Sequence, residues 1–564
     1  MTTTSTAEAD LALERARAAG RPVFLSTPSH ATAGEGPLAG LPFAVKDNID
    51  VAGLPSTAAC PALEQPAERH ATVVQRLIDA GAVPVGKTNM DQFATGLVGT
   101  RSPYGIPTCV DDPTRVSGGS SSGSAVAVAS GIVPLALGTD TAGSGRVPAA
   151  FNGLVGVKST RGLVSTHGVL PACRSLDCVT TLTRTVDLAR QALAVMTAPD
   201  SFDPWSRVRP VALPAGVARV MTTVGVPLHA LDLDAETRTS WDRALRHASD
   251  LGLHLVPVDV TPFLDAALLL YGGPWVAERY AAVGHLVEQD GPHLDPTVAS
   301  IIRAGAGLTA ADAFRAFDRL AALRQLTLPI WDRVDALLLP VTPGHPTVAA
   351  VQADPVGTNS RLGTFTNFVN LLDLAAIAVP AGRRDDGLPY GVQLIGPAFS
   401  DPPLLDLASR WCGEPTPPVV AGPTVVVVGA HLSGLPMNGA LVSRGGRLLR
   451  RTRTAAGYRM LRVPDGPPRP ALVDGDGPGF AVEVWELPAQ AIGELAAEVG
   501  PPLRLGQVRL AEGTTSLGFL GDPGLLVGAE DLSHLDGWRD ASEQTTPEAA
   551  PRPARDLGLA GSAV

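Results

Sequence analysis

Ser117–Arg161 reads SGGSSSGSAVAVASGIVPLALGTDTAGSGRVPAAFNGLVGVKSTR. Two turns dense in glycine and serine lie in it, one helix plus one strand apart. SAVAVASG has the small residues of a short, closely packed helix, ended by Gly131. VPLALGTD reads as a buried strand. A glycine-flanked serine at the mouth of a helix is a candidate nucleophile, because the turn exposes Oγ and leaves backbone N–H groups free to hold an oxyanion. GTDTAGSGR puts Ser144 there, with the amides of Ala142, Gly143 and Ser144 as donors and the helix dipole adding to them. The rival reading is a helix-capping serine.

Upstream, the nearby cationic candidate is Lys46 in LPFAVKDNID, carried by an apolar strand to a polar turn. A lysine beside two serines can activate a hydroxyl without histidine. It must be neutral to accept a proton, which burial after Phe43-Ala44-Val45 favours and Asp47 opposes. A surface lysine at a strand end is the alternative. Gly119-Ser120-Ser121-Ser122-Gly123 also fits the G-x-S-x-G elbow, but His167 and His345 stand in no pattern that would complete it.

Outward from this core, strand-like and helix-like segments alternate. Residues 5–20 carry a helical pattern, ATVVQRLIDAGA a helix, VPVGKTN a strand and TVDLARQALAVMT a helix. ETRTSWDRALRHASDLG and ADAFRAFDRLAALRQLTLPIWDRV are further helices, the second broken near Pro329, and ALLLPVTP is a central strand. SFDPWSRVRPVALPAG reads as loop. Such alternation predicts an α/β sheet covered by helices on both faces.

At 564 residues, two domains are expected. Pro and Gly cluster at CGEPTPPVVAGPT, after which short β-rich runs follow. The boundaries read as an N-terminal helical segment over 1–36, a main domain over 37–411, a linker over 412–423, a smaller α+β domain over 424–541 and a disordered tail over 542–564. A net charge of −11 argues against a nucleic-acid surface, and RGGRLLRRTR reads as a solvated strand or turn. No apolar run reaches membrane-spanning length, and no signal peptide is evident. Five scattered cysteines without CxxC fit reduced thiols in a cytoplasmic protein. The eleven histidines show no metal-ligand spacing.

FAVKDNID, SGGSSSGSA and GTDTAGSGRVPA, three motifs in register, resemble the amidase signature family of serine hydrolases over about residues 37–400. TNMDQFATGLVGTRSPYG and RLGTFTNFVNLLDLAAIAVPAG resemble it too. The TAGSGR variant and LYGGPWVAERY are similar to the allophanate hydrolases within it. The resemblance implies an α/β/α sandwich around a large mixed sheet. It implies a triad of Ser144 as nucleophile, Ser120 after a cis Gly119–Ser120 peptide, and Lys46 as base. Thr141 joins the oxyanion loop, and Asp140 and Arg146 form a network beneath it.

By the same resemblance Tyr271 and Arg279 bind the carboxylate of allophanate, a small anionic substrate. Their spacing places them two turns apart on one helical face if the helix runs through Gly272-Gly273-Pro274. Otherwise Arg279 pairs with an acid such as Glu278 and Tyr271 is core. No cofactor or metal is implied. A homodimer and a functional link to urea carboxylase in urea breakdown are. The segment before Lys46 is shorter than in similar enzymes. The region from 424 resembles the C-terminal domain of long allophanate hydrolases, and GAHLSGLPMNGAL is similar to the turn of γ-glutamyl-cyclotransferase-like folds. That domain is linked in similar proteins to decarboxylation, with His431, Glu483 and His534 as candidates, or is a structural module. Two alternatives stay open: another amidase or amidotransferase component of the same mechanism, and an inactive scaffold on the same fold.

Overall fold

Strands β2 (Pro42–Lys46), β3 (Val83–Thr88) and β4 (Leu135–Asp140) run parallel and side by side, so the turns that follow them open on one edge of a sheet. This is the arrangement in a computed structural model of the chain, which describes residues 2–20, 22–208, 221–289, 291–416, 423–433, 435–442, 444, 446–464 and 468–543. Among the described residues two compact units form: residues 2–208 with 221–416, and residues 423–543.

The sheet of the first unit also contains β1 (Phe24–Ser26), β5 (Val155–Lys158), β6 (Cys178–Thr183), β7 (Thr223–Pro227), β8 (His254–Val258), β9 (Ala336–Pro340), β10 (Leu374–Arg383) and β11 (Pro389–Pro397). Its order is β1-β3-β2-β4-β6-β5-β10-β11-β9-β7-β8, with parallel and antiparallel pairs mixed. Side chains alternate between the faces of a strand. Phe43 and Val45 therefore join one core with Val73, Val74 and Leu77 of the helix Thr72–Asp79. Ala44 joins the opposite core with Ala125, Ala127 and Val128 of the helix Ser122–Ala129. Helices thus cover both faces, as the alternation predicts.

The helix expected over 5–20 spans Thr2–Ala19. Its Ala12, Leu13 and Ala16 enter the same core as Ala125, so it belongs to the first unit rather than standing apart. The expected long helix runs over Ala310–Thr327 and gives way to a 3-10 turn, Leu328–Asp332, at Pro329. β7 was not expected. Its TVGVP carries a proline and a glycine, which weaken the strand pattern, and pairing with β8 and β9 supplies what propensity lacks. Part of the loop expected over SFDPWSRVRPVALPAG lies outside the described residues.

The second unit has its own sheet. It contains β12 (Thr424–Val427), β13 (Arg447–Arg453), β14 (Tyr458–Arg462), β15 (Pro470–Asp474), β16 (Ala481–Glu486), β17 (Leu503–Arg509) and β18 (Thr515–Gly521). The order is β13-β16-β12-β18-β15-β14, with β17 on β18, around a core that includes Val426, Phe480 and Trp485. The arginine run lies on β13, where Arg450, Arg451 and Arg453 pair with Glu512, Glu483 and Asp536. The tail expected to be disordered lies, from residue 544 on, outside the described residues.

Candidate active site

Lys46 ends β2 and is fully buried. Its Nζ donates to Ser120 Oγ at 2.8 Å and to Thr139 Oγ1 at 2.7 Å. Burial is the main force on its charge, and it lowers the ammonium from 10.5 to about 7. The carboxylates of Asp91, Asp177 and Asp140 pull the other way, and Arg279 assists the lowering. The surface-lysine reading is therefore excluded, and the amine is poised to exchange a proton near neutral pH. Ser120 follows a cis peptide with Gly119.

Ser144 is 2 % exposed, and its Oγ donates to the carbonyl of Gly96 at 3.4 Å. It is not a capping serine. The helix behind it is short, Arg146–Phe151, and its N-cap is Gly145 with no side-chain cap bond. Asp140 gathers the loop instead. Its Oδ1 accepts from Gly143 N at 2.7 Å, and its Oδ2 from Gly145 N at 3.2 Å and Arg146 Nε at 2.9 Å. The fully buried Arg146 also donates to Gln393 Oε1, Thr366 O and Asn370 Oδ1. Burial alone would raise Asp140, but Arg146 holds it below the usual carboxylate range. This is the network the resemblance implies.

One expectation needs correction. Gly143 was expected among the oxyanion donors, but its amide is engaged by Asp140. Its backbone instead makes room: φ is +128°, and a Cβ there would lie 2.4 Å from Thr366 Oγ1. Among the described residues the amides of Thr141, Ala142 and Ser144 have no backbone or side-chain acceptor outside regular strands and helices. The Thr141 hydroxyl donates to Asp177 Oδ1 at 2.5 Å.

Tyr271 and Arg279 do not share one helix. Tyr271 lies on Thr261–Gly272 and Arg279 on Trp275–Glu288, with the chain turning at Gly273 and Pro274. They meet nevertheless, the guanidinium carbon standing 5.7 Å from the centre of the Tyr271 ring. Tyr271 packs on the cluster that contains Ala142. Arg279 is 2 % exposed and makes no ion pair among the described residues. Its Nη1 donates to Thr95 Oγ1 at 3.0 Å, one residue before the carbonyl that Ser144 touches. Glu278, the proposed rival partner, is taken by the Ser175 amide at 2.7 Å and hydroxyl at 2.6 Å.

Residues 7–405 match the model of the family described as Amidase. The chain belongs to the amidase family. Residues 423–543 match the allophanate hydrolase C-terminal domain. The Kluyveromyces lactis allophanate hydrolase structure is 39% identical, with a TM-score of 0.73, and the match covers 96% of this chain and 97% of that one. Urea amidolyase of Saccharomyces cerevisiae is 41% identical over 541 residues, which are 89% of this chain and 29% of that protein. The chain thus spans under a third of the urea amidolyases it matches. A glutamyl-tRNA(Gln) amidotransferase component from Symbiobacterium thermophilum is 38% identical over 66% of this chain and 82% of its own length.

Sequence reasoning missed several groups that build this amidase site. Thr139 was read only as strand. Asp91, fully buried, accepts from the amides of Gly99 at 3.0 Å and Arg101 at 2.9 Å, and burial raises its carboxyl. Asp177, also buried and raised by burial, holds Thr141 and the amides of Ala172 and Cys173. An isolated Asp has no sequence period, so only its place in the fold marks it. In the second unit, His431 stacks on Phe519 at 5.3 Å and lines one cavity with Arg469 and Glu498. Glu483 lines another and is bound by Ser433, Trp485, Arg451 and Arg539. His534 is exposed. The three are not brought into one site.

Proposed function

We propose that this chain hydrolyses allophanate. Ser144 turns from the Gly96 carbonyl to attack the terminal amide carbon. Its proton passes through Ser120 to Lys46 and returns to the leaving ammonia. Thr141, Ala142 and Ser144 amides hold the oxyanion. Water then cleaves the acyl-enzyme by the same relay, releasing N-carboxycarbamate, which loses carbon dioxide. The substrate contains a carboxylated urea, so an enzyme that carboxylates urea must supply it.

One observation carries the choice of substrate: a buried guanidinium with no ion pair among the described residues, bonded to Thr95 one residue before the carbonyl that Ser144 touches. A desolvated cation costs several kcal/mol unless an anion joins it, and a planar anionic substrate fits its fork. The relatives named allophanate hydrolase and urea amidolyase support the same reading.

The test compares kcat/KM on allophanate and on a neutral amide such as malonamide. Arg279→Ala is expected to cost roughly 2–5 kcal/mol of transition-state binding with allophanate, as for removal of one member of a buried charge pair, and much less with malonamide. Arg279→Lys restores only part, because an ammonium lacks the two-donor plane. Equal losses on both substrates would make Arg279 a structural residue and remove the physical basis for allophanate.

A further inference from the structure

Thr139 belongs to the GTD stretch ending β4 and has no part in the relay above. It is 2 % exposed, and its Oγ1 lies 2.7 Å from Lys46 Nζ. Ser120 Oγ lies 2.8 Å from the same nitrogen. The neighbour of Ser120 also clamps the Thr139 backbone: Ser121 Oγ donates to Thr139 O at 3.2 Å and accepts from Thr139 N at 3.3 Å. The two hydroxyls that face Lys46 are therefore held in one frame.

A neutral primary amine has two N–H bonds and one lone pair. To take a proton from Ser120, Lys46 must aim the lone pair at that hydroxyl and direct its N–H bonds elsewhere. Thr139 Oγ1 is the other partner of Nζ among the described residues. We propose that Thr139 is a positioning residue: its hydroxyl accepts one N–H of neutral Lys46 and so turns the lone pair toward Ser120. This rests on Lys46 being the base, as proposed above.

The other groups around Lys46 cannot do this. Asp91 follows β3 and is tied to the Gly99 and Arg101 amides. Asp177 precedes β6 and is tied to Thr141. Asp140 ends β4 and is paired with Arg146, and Arg279 reaches from its own helix to Thr95. Asp47, next along the chain, faces Lys87 at 3.5 Å. These charges set how readily Lys46 keeps its proton, whereas Thr139 sets where the lone pair points. Its oxygen also favours the ammonium, which can donate to it in the same way.

The experiment measures kcat and KM from mildly acidic to alkaline pH for the full chain and for Thr139→Val, Thr139→Ser and Thr139→Ala. Thr139→Val is expected to lower the plateau kcat on the order of 10²-fold, as for a misplaced reacting group, with KM little changed. Its acidic limb should move to lower pH, because the ammonium loses an acceptor. Thr139→Ser should restore both plateau and limb. If Thr139→Val does not fold, Thr139→Ala serves in its place. A wild-type plateau in the hydroxyl-free variant overturns the proposal. So does a loss with an unmoved limb that Thr139→Ser fails to rescue. If Lys46→Ala is inactive while Thr139→Val behaves as wild type, the relay stands and only the role of Thr139 falls. If Lys46→Ala is active, both fall.

Discussion

At the scale of single residues, the proposed chemistry depends on a lysine that folding strips of its usual charge. Burial is the main reason that the Lys46 ammonium gives up its proton at about 7 rather than 10.5. Below about 7 Lys46 is charged and cannot act as base, so activity should fall about tenfold per pH unit there. Stability carries the opposite face of the same shift. Between about 7 and 10.5 the unfolded lysine keeps a proton that the folded one has lost. The unfolded chain therefore binds more protons in this window, and the contribution of Lys46 to stability rises with pH across it. Lys46→Met should flatten that stability slope and abolish turnover, as read by denaturant titrations and ammonia release across pH. A rate that stays flat through the acidic limb, with chemistry limiting, would exclude Lys46 as base. Ser144→Ala should leave the fold intact and ammonia release at background, since the loop's other hydroxyl, on Thr141, is held by Asp177.

At the scale of elements, the loop between β4 and the helix Arg146–Phe151 works as one piece. Asp140 holds it through the Gly143 amide and Arg146 side chain, and Thr366 donates to Ala142 O at 2.6 Å. Gly143→Ala would put a Cβ into Thr366 Oγ1 at a φ that L-residues rarely adopt. It should cost about 1–3 kcal/mol of stability and lower kcat more than that loss explains, because Ala142 and Ser144 move with the loop. Asp140→Asn leaves the fully buried Arg146 without its carboxylate. A destabilisation of about 3–5 kcal/mol is expected, measured as a drop in the denaturation midpoint. A wild-type midpoint in Asp140→Asn would mean that Gln393, Thr366 and Asn370 suffice to hold the guanidinium.

At the scale of the molecule, two units with separate cores should unfold in separable steps. Phe480 is fully buried in the core of the second unit. Phe480→Ala should cost about 3–5 kcal/mol, lowering one calorimetric transition and leaving the other, and amide hydrolysis should follow the unmoved transition. If both transitions shift together, the units are thermodynamically one. Among the described residues no helix is long and apolar enough to cross a membrane.

What the sequence determined by itself is what short-range order encodes. The glycine and serine turns, the small-residue helix Ser122–Ala129 and strands β2 to β4 follow from local pattern, and the motifs at their ends supply the candidates Lys46, Ser120 and Ser144. The change to short β-rich runs near residue 424 marks the second unit for the same reason. Only the tertiary structure decided which donors and charges face the site. Gly143 looked free because its competitor, Asp140, bonds it through a loop closure that no period shows. Arg279 has an acid beside it in sequence, and only the fold sends Glu278 to Ser175 and leaves the guanidinium with Thr95. Asp91, Thr139 and Asp177 come from three different segments: parallel β3 and β4 end beside Lys46 at the end of β2, and antiparallel β6 starts there, which brings Asp177 to the same place. Side-chain identity sets what a residue can do. Burial and neighbours brought from far along the chain set its charge and direction, and those exist only once the chain has folded.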